Sequence, residues 1–417
     1  MKEPIRAVDY LLVFTSRRIA AVLLLGFSSG LPLALTAGTL QAWLAVESVD
    51  IRTIGLFTLV GQPYTYKFLW APLMDRFTPP FFGRRRGWLI VTQVALLGAI
   101  AFMGTMNPSE SPWMLAALAL GVAFLSASQD IVFDAYRADI LREAERGAGA
   151  AISVLGYRLA MLVSGGGALV LADQFLGWTA MYFVMAALMG VGIVATWYAP
   201  ESEEAVRAPQ TLASAISEPL KEFFARQGAW LLLLLIVLYK LGDAFAGSLT
   251  TAFLIQGPGF SATEVGAINK ALGLVATILG ALLGGAWMVR LGLYRALLGF
   301  GVLQAVTNLG FVLLAVAGKN YTLMVAAIAA ENLCGGMGTA AFVALLMSLC
   351  DRRFSATQYA LLSALSAVGR VYVGPASGFL VSAIGWAPFF FVTFLIALPG
   401  LALLWIMRAR LVPASQV

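Results

Sequence analysis

The sequence predicts an all-α membrane protein of twelve spanning helices, and three observations carry that expectation. Apolar residues make up 60% of the 417, charged residues only 12%, and the mean hydropathy is +0.88. A water-soluble domain cannot hide that much apolar surface, so lipid must solvate most of it. Apolar stretches long enough to cross a bilayer recur along the whole chain. Lys and Arg gather in alternate connections between them, as they do in the cytoplasmic loops of membrane proteins.

Windows of about 20 apolar residues fall at 19–44, 51–74, 87–106, 112–139, 147–172 and 175–199. They resume at 228–255, 262–289, 295–317, 321–350, 356–382 and 386–408. The first is too long for a signal-peptide core and has no convincing cleavage site after it, so it reads as an uncleaved span. Glu201 to Gln227 is the one long polar segment. Within it, Leu212 to Phe224 has the spacing of an amphipathic surface helix. The predicted organisation is therefore a six-helix bundle over 1–200, a cytoplasmic linker over 201–227 and a second six-helix bundle over 228–417. Of 27 Lys and Arg, only Arg52 and Lys319 fall in the loops on the opposite side. That asymmetry places both termini in the cytoplasm.

Several chemistries are excluded or disfavoured at this stage. There is no histidine, which removes imidazole catalysis and His-based metal sites, so proton coupling would fall to carboxylates. Cys334 and Cys350 lie in apolar sequence without metal-ligand spacing and read as reduced packing residues. The formal charge of +6 is explained by cytoplasmic loops and calls for no nucleic acid. No phosphate loop, HExxH or dinucleotide fingerprint occurs, so no enzyme activity, cofactor or metal is expected and an ion gradient is the default energy source.

The two halves echo each other. Gly177-Trp178-x-x-Met181-Tyr182-Phe183-Val184 opens the sixth span, and Gly385-Trp386-x-x-Phe389-Phe390-Phe391-Val392 opens the twelfth. Thr53-Ile54-Gly55 corresponds to Glu264-Val265-Gly266. A duplicated six-helix unit of this kind resembles the major facilitator superfamily, whose halves are repeats. The loop holding Asp75, Arg76 and Gly83-Arg84-Arg85-Arg86 resembles that superfamily's signature G-x-x-x-D-R-x-G-R-R, with Ala71 in place of the first glycine and a Thr-Pro-Pro-Phe-Phe insertion. Asp75 and Arg76 are the candidates for a cytoplasmic gating latch; Arg84 to Arg86 read as positive-inside charge.

Charged side chains inside spans cost at least about 2.5–3.5 kcal/mol each and need a partner or a wet cavity. Asp130, Asp134 and Arg137 share a face of the fourth span. The helical rise puts Asp130 roughly 13 Å above the cytoplasmic end of its span, Lys67 roughly 10 Å and Arg158 roughly 16 Å. Two readings stand: a salt-bridge cluster binding the N-terminal half together, or a proton site in which a carboxylate exchanges its basic partner for a proton. The second half carries Lys240, Asp243, Asn269, Lys270, Glu331, Asn332 and Arg370. Its surplus cation suits an anionic group on a substrate, although Lys240 and Asp243 at i and i+3 can simply neutralise each other. Trp43, Tyr64, Tyr66, Trp70 and Tyr372 could stack on sugar rings, and most other tryptophans read as interfacial anchors.

Four blocks carry a more specific resemblance: Gly26-Phe27-Ser28-Ser29-Gly30-Leu31-Pro32-Leu33-Ala34-Leu35, Lys67-Phe68-Leu69-Trp70 through Arg86-Gly87-Trp88, Ser126 to Asp134, and Glu145-Arg146-Gly147 to Gly156-Tyr157-Arg158. They resemble the AmpG-type muropeptide permeases of the major facilitator superfamily. The resemblance implies proton-driven import, across the inner membrane of Gram-negative bacteria, of N-acetylglucosaminyl-anhydro-N-acetylmuramic acid with or without its stem peptide. It also implies a role in cell-wall recycling linked to β-lactamase induction. On that reading Asp130 and Asp134 are proton-linked, with Lys67 and Arg158 as partners and Glu331 as a further proton site. Gln41, Gln62, Tyr64, Gln129, Lys240, Asn269, Lys270, Asn332, Gln358, Arg370 and Tyr372 are the candidates for binding substrate. The partners expected are the muropeptide, protons and the lipid bilayer, and the chain is expected to act as a monomer. A carrier of another bulky anion such as an acyl-CoA, and a muropeptide receptor that does not translocate, fit the same residues.

Overall fold

The computed structural model of the chain describes residues 16–141, 146–200, 223–225, 228–349 and 355–408. Among these residues there is no strand, and helices follow one another through short turns. Ten helical runs are long and apolar enough to cross a bilayer. They account for the twelve predicted spans once two features are taken into account.

The first is the second span, which is helical only in pieces: Ile51–Phe57, Gln62–Tyr66 and Ala71–Arg76, joined by 3-10 turns at Thr58–Gly61 and Lys67–Leu69. Pro63 and Pro72 lie in the first turns of two of these pieces. Proline tolerates that position because its missing N–H would be unpaired there anyway, but it cannot continue a preceding helix. The second is a run from Ile152 to Tyr198, which holds spans five and six together. Gly177 divides it, with φ 71° and ψ 171°. The corresponding Gly385 has φ 80° and opens the helix Trp386–Ile406. The Gly-Trp echo in the sequence is therefore a repeated backbone break, at a conformation that favours glycine.

Polar caps fix several helix starts. Asp50 accepts from the amides of Arg52 (3.0 Å) and Thr53 (3.4 Å). Asn320 accepts from Leu323 N at 3.0 Å, and Ser261 and Glu264 form a reciprocal capping box. Pro32 sits inside the helix Arg17–Thr36, and the helix breaks at Ala37. The Thr36 hydroxyl bonds to the carbonyls of Pro32 and Leu33 near that break (3.2 and 3.3 Å).

The chain divides into two compact units, one of Met1–Trp43 with Val60–Ala208 and one of Leu44–Leu59 with Pro209–Val417. Within the first, the opening helix packs closely on the helix Arg146–Met161. A Cβ on Gly30 would stand 2.6 Å from the Tyr157 carbonyl, so only glycine allows that approach. The second unit holds Leu44–Leu59 by polar and close contacts: Arg52 Nε donates to Ser382 Oγ (2.9 Å), Gln256 Nε2 to the Val49 carbonyl (3.1 Å), and Gly55 lies against Gly374 and Gly378. Large apolar side chains such as Val289, Val316, Trp230 and Phe175 project outward, as a lipid-facing surface requires. Most of the predicted linker, including the amphipathic stretch from Leu212, lies outside the described residues. Phe223 is described and packs into the core of the second unit with Leu235 and Leu404.

Candidate functional site

Among the described residues, each unit holds a polar cluster. In the first unit the long fourth helix, Pro112–Ile140, carries Asp130 and Asp134 one turn apart. They do not share an environment. Asp130 is buried and accepts a hydrogen bond from the Ser29 hydroxyl on the first helix. Asp134 has its side chain 54% exposed and holds the cations, with Arg137 at 3.2 Å and Lys67 at 4.0 Å. Arg137 also donates to Ser153 Oγ at 2.9 Å.

Arg158 departs from the expectation of a partner for these acids. It is exposed and pairs with neither aspartate among the described residues. The cause is the close crossing of the first and fifth helices: Gly156 must face Leu23 and Phe27. Two residues along a helix turn about 200°, so Arg158 is sent to the far side. Arg137 stands beside Asp134 instead. Tyr64 lies near Asp130, with its hydroxyl buried beside those of Ser126 and Thr36 but without a well-formed hydrogen bond to either. Gln129 donates to Ser28 Oγ at 3.2 Å. Gln41 and Gln62 are half-buried in the same unit. Of the aromatics expected to meet sugar, two are used in packing. Trp43 is buried against Trp178 and Tyr182, and Trp70 packs on Phe124 while donating to Ser128 Oγ at 3.0 Å.

The second unit contains a cavity of about 430 Å³ whose polar lining includes Lys240, Asp243, Gln304, Glu331, Asn332 and Thr339. Lys240 Nζ lies 3.3 Å from both Asp243 Oδ2 and Thr339 Oγ1. Gln304 Nε2 donates to the same Asp243 oxygen at 2.5 Å. Asn332 donates to Glu331 at 2.8 Å and accepts from Thr277 Oγ1 at 3.1 Å. Tyr239 and Phe342 stack beside Lys240 with their planes 3° apart. Lys240, Glu331 and Asn332 thus line one cavity, with Asp243 already neutralising the lysine. Lys270 donates to Thr251 Oγ1 at 2.9 Å and has no acidic partner among the described residues. Asn269 is half-buried beside it, and Tyr372 is 40% exposed on its own helix. The side chains of Asp75, Arg76, Gln358 and Arg370 lie outside what the structure describes.

Sequence reasoning missed Ser29, Gln93, Thr196, Gln304 and Thr339. Gln93 and Gln304 carried a signal: they are amides in apolar spans, related by the same interval as Gly55 and Gly266. Among the described residues no cluster of His, Cys, Asp and Glu could hold a metal ion.

Comparison with known proteins gives this geometry a family. The Major Facilitator Superfamily pattern matches residues 19–371. An anhydromuropeptide permease of Escherichia coli K12 is 62% identical over 403 residues, covering 97% of this chain and 82% of that one. A putative transporter AmpG 4 of Rickettsia felis is 34% identical over 95% of this chain and 98% of its own length. Among solved structures, a D-xylose-proton symporter superposes with a TM-score of 0.71 at 12% identity, over 98% of this chain and 99% of that one. A POT family transporter in complex with a thioalcohol-conjugated peptide gives 0.72 at 11% identity, over 95% and 96%. At such identities the structures show the fold alone. Together with the apolar helices, the matches mark a multi-pass protein of the bacterial inner membrane. The chain belongs to the Major Facilitator Superfamily and, within it, to the family of the AmpG-type permeases.

Proposed function

We propose that the chain imports anhydromuropeptides across the inner membrane by proton-coupled symport, for recycling of cell-wall material and, through it, β-lactamase induction. One observation carries the cargo: the 62% identity, over 97% of the chain, to a relative named anhydromuropeptide permease. In this reading the halves 1–200 and 228–417 are the two bodies of an alternating-access carrier, both termini are cytoplasmic and the carrier works as a monomer. Asp75 and Arg76 form its cytoplasmic latch.

The proton role goes to Asp130. A carboxyl group inside a membrane bundle, held by a neutral hydroxyl and without a direct ion pair among the described residues, can exist as acid or as carboxylate with little rearrangement. Glu331, hydrogen-bonded by Asn332 at the cavity wall, is a second candidate of the same kind. Lys240 and Lys270 suit the carboxylates of a stem peptide. The amides of Gln41, Gln62, Gln129, Asn269, Asn332 and Gln358 suit the acetamido and hydroxyl groups of a disaccharide, and Arg370 and Tyr372 complete the candidate set. The test is uptake of labelled disaccharide muropeptide into proteoliposomes with and without an inward proton gradient. Concentrative uptake that needs the gradient supports symport. Binding without uptake contradicts it in favour of a receptor.

A further inference from the structure

Among the described residues, four buried polar atoms of the first unit have no well-formed hydrogen bond: Gln93 Nε2, Gln129 Oε1, and Tyr64 Oη and Ser126 Oγ, which lie beside each other. Buried polar groups are almost always bonded to protein or to ordered water. Serines and glutamines that merely glue helices together would be satisfied by one another. The two glutamine atoms are not, although Gln93 is 0% exposed and Gln129 1%.

The orphaned atoms lie along one seam of hydroxyl and amide groups. Asp130 accepts from Ser29, and its neighbour Gln129 donates to Ser28 Oγ. Ser28 Oγ and Gln93 Nε2 both face the Cα of Gly192. A Cβ there would collide with the serine hydroxyl and stand 3.0 Å from the amide nitrogen. Gln93 Oε1 then accepts from Thr196 Oγ1 at 2.9 Å. Thr196 is close to the end of the helix Gly177–Tyr198, whose last carbonyls are held by Arg86 (3.1 and 3.0 Å) and Arg17 (2.9 and 2.6 Å). The seam therefore connects the buried carboxyl group to the arginine-rich end of the bundle.

We propose that this seam holds ordered water and carries the transported proton between Asp130 and the arginine-rich end of the first unit. The inference rests on the proton-coupled reading above. Protonated Asp130 gives its proton to a water held by the orphaned atoms, water molecules pass it along the seam while the amides of Gln129 and Gln93 orient them without carrying the proton themselves, and one proton leaves beyond Thr196. The carboxylate is left, and no other group changes charge. The ionisable groups around Asp130 are Lys67 and Asp134, with the hydroxyls of Tyr64 and Tyr157. At the exit they are Arg17, Arg18 and Arg86, near Tyr136.

Two variants that keep side-chain size test it. Gln93→Leu removes the amide, and Thr196→Val removes the hydroxyl bonded to it. Each is reconstituted with a pH-sensitive dye inside the liposomes. The measurements are substrate exchange at equal pH on both sides, which needs no net proton movement, and proton influx on adding muropeptide. The expected result is exchange within about twofold of wild type with proton influx down about tenfold or more. If wild type is gradient-driven and both variants keep full proton influx, the seam is overturned and symport stands. If wild-type uptake ignores the gradient, symport and seam fall together.

Discussion

Ser29 on the first helix donates its hydroxyl hydrogen to the carboxyl group of Asp130 on the fourth, while Lys67 goes to Asp134 one turn away. Two acids on one helix face thus have different tasks. One is buried and held by a neutral donor. The other is half-exposed and engaged with cations.

That division predicts different outcomes for the same chemical change. Asp130→Asn keeps shape and the Ser29 contact but cannot release a proton, so gradient-driven accumulation is lost while exchange persists. Asp134→Asn weakens two partly exposed ion pairs, each worth up to about 1 kcal/mol. It lowers thermal stability slightly and leaves some accumulation. Parallel accumulation, exchange and melting measurements on the two variants check this.

Lys240→Ala leaves Asp243 in a cavity wall with the Gln304 amide and no cation among the described residues. The pair is partly buried, with side chains 17% and 26% exposed. The cost therefore lies between the surface and buried limits, about 1–3 kcal/mol. Lys240→Ala combined with Asp243→Asn recovers most of that stability, whereas affinity for an anionic peptide stays low in both variants. Melting of the purified protein and KM for peptide-bearing cargo separate the two effects.

Gly177→Ala and Gly385→Ala meet no neighbouring atom within 4 Å, so only the backbone opposes them. At φ 71° and 80° with ψ 171° and 176°, a region essentially reserved for glycine, an alanine costs about 1–3 kcal/mol. Each lowers the melting temperature without changing affinity. Gly30→Ala is different in kind, because its Cβ would strike the Tyr157 carbonyl; it is expected to disrupt the crossing of the first and fifth helices.

Lys319, in the turn between two spans, is 3.1 Å from Glu264, and this hydrogen-bonded contact raises the lysine above its usual range. A raised lysine contributes stability that is fully present below its unfolded value, about 10.4. The contribution disappears as pH climbs through the folded value. Lys319→Ala therefore lowers the melting temperature at pH 7 but not at strongly alkaline pH, and added salt shrinks the difference, because the lysine is exposed.

The span pattern was legible in the sequence because a bilayer imposes length and apolarity on every crossing. The duplication was legible too, since Gly177-Trp178 and Gly385-Trp386 mark the same backbone break. The broken second span was not, because its overall hydropathy hides the effect of Pro63 and Pro72 on helix continuity. Asp130, Asp134 and Lys67 could be placed at similar depth by helical rise. Depth does not give rotation, however, and the glycine crossing at Gly156 turned Arg158 away. Gln93 and Gln304 stand at matching positions of the two halves, but their roles, like that of Thr196, were not legible because their partners lie on distant spans that only folding brings together.

The most direct test of the account is proton influx measured on adding anhydromuropeptide to proteoliposomes of wild type and Asp130→Asn. The account predicts influx accompanying uptake in wild type and none in the variant, with substrate exchange intact in both. Equal influx in the two proteins would contradict it, because the transported proton would then bypass Asp130.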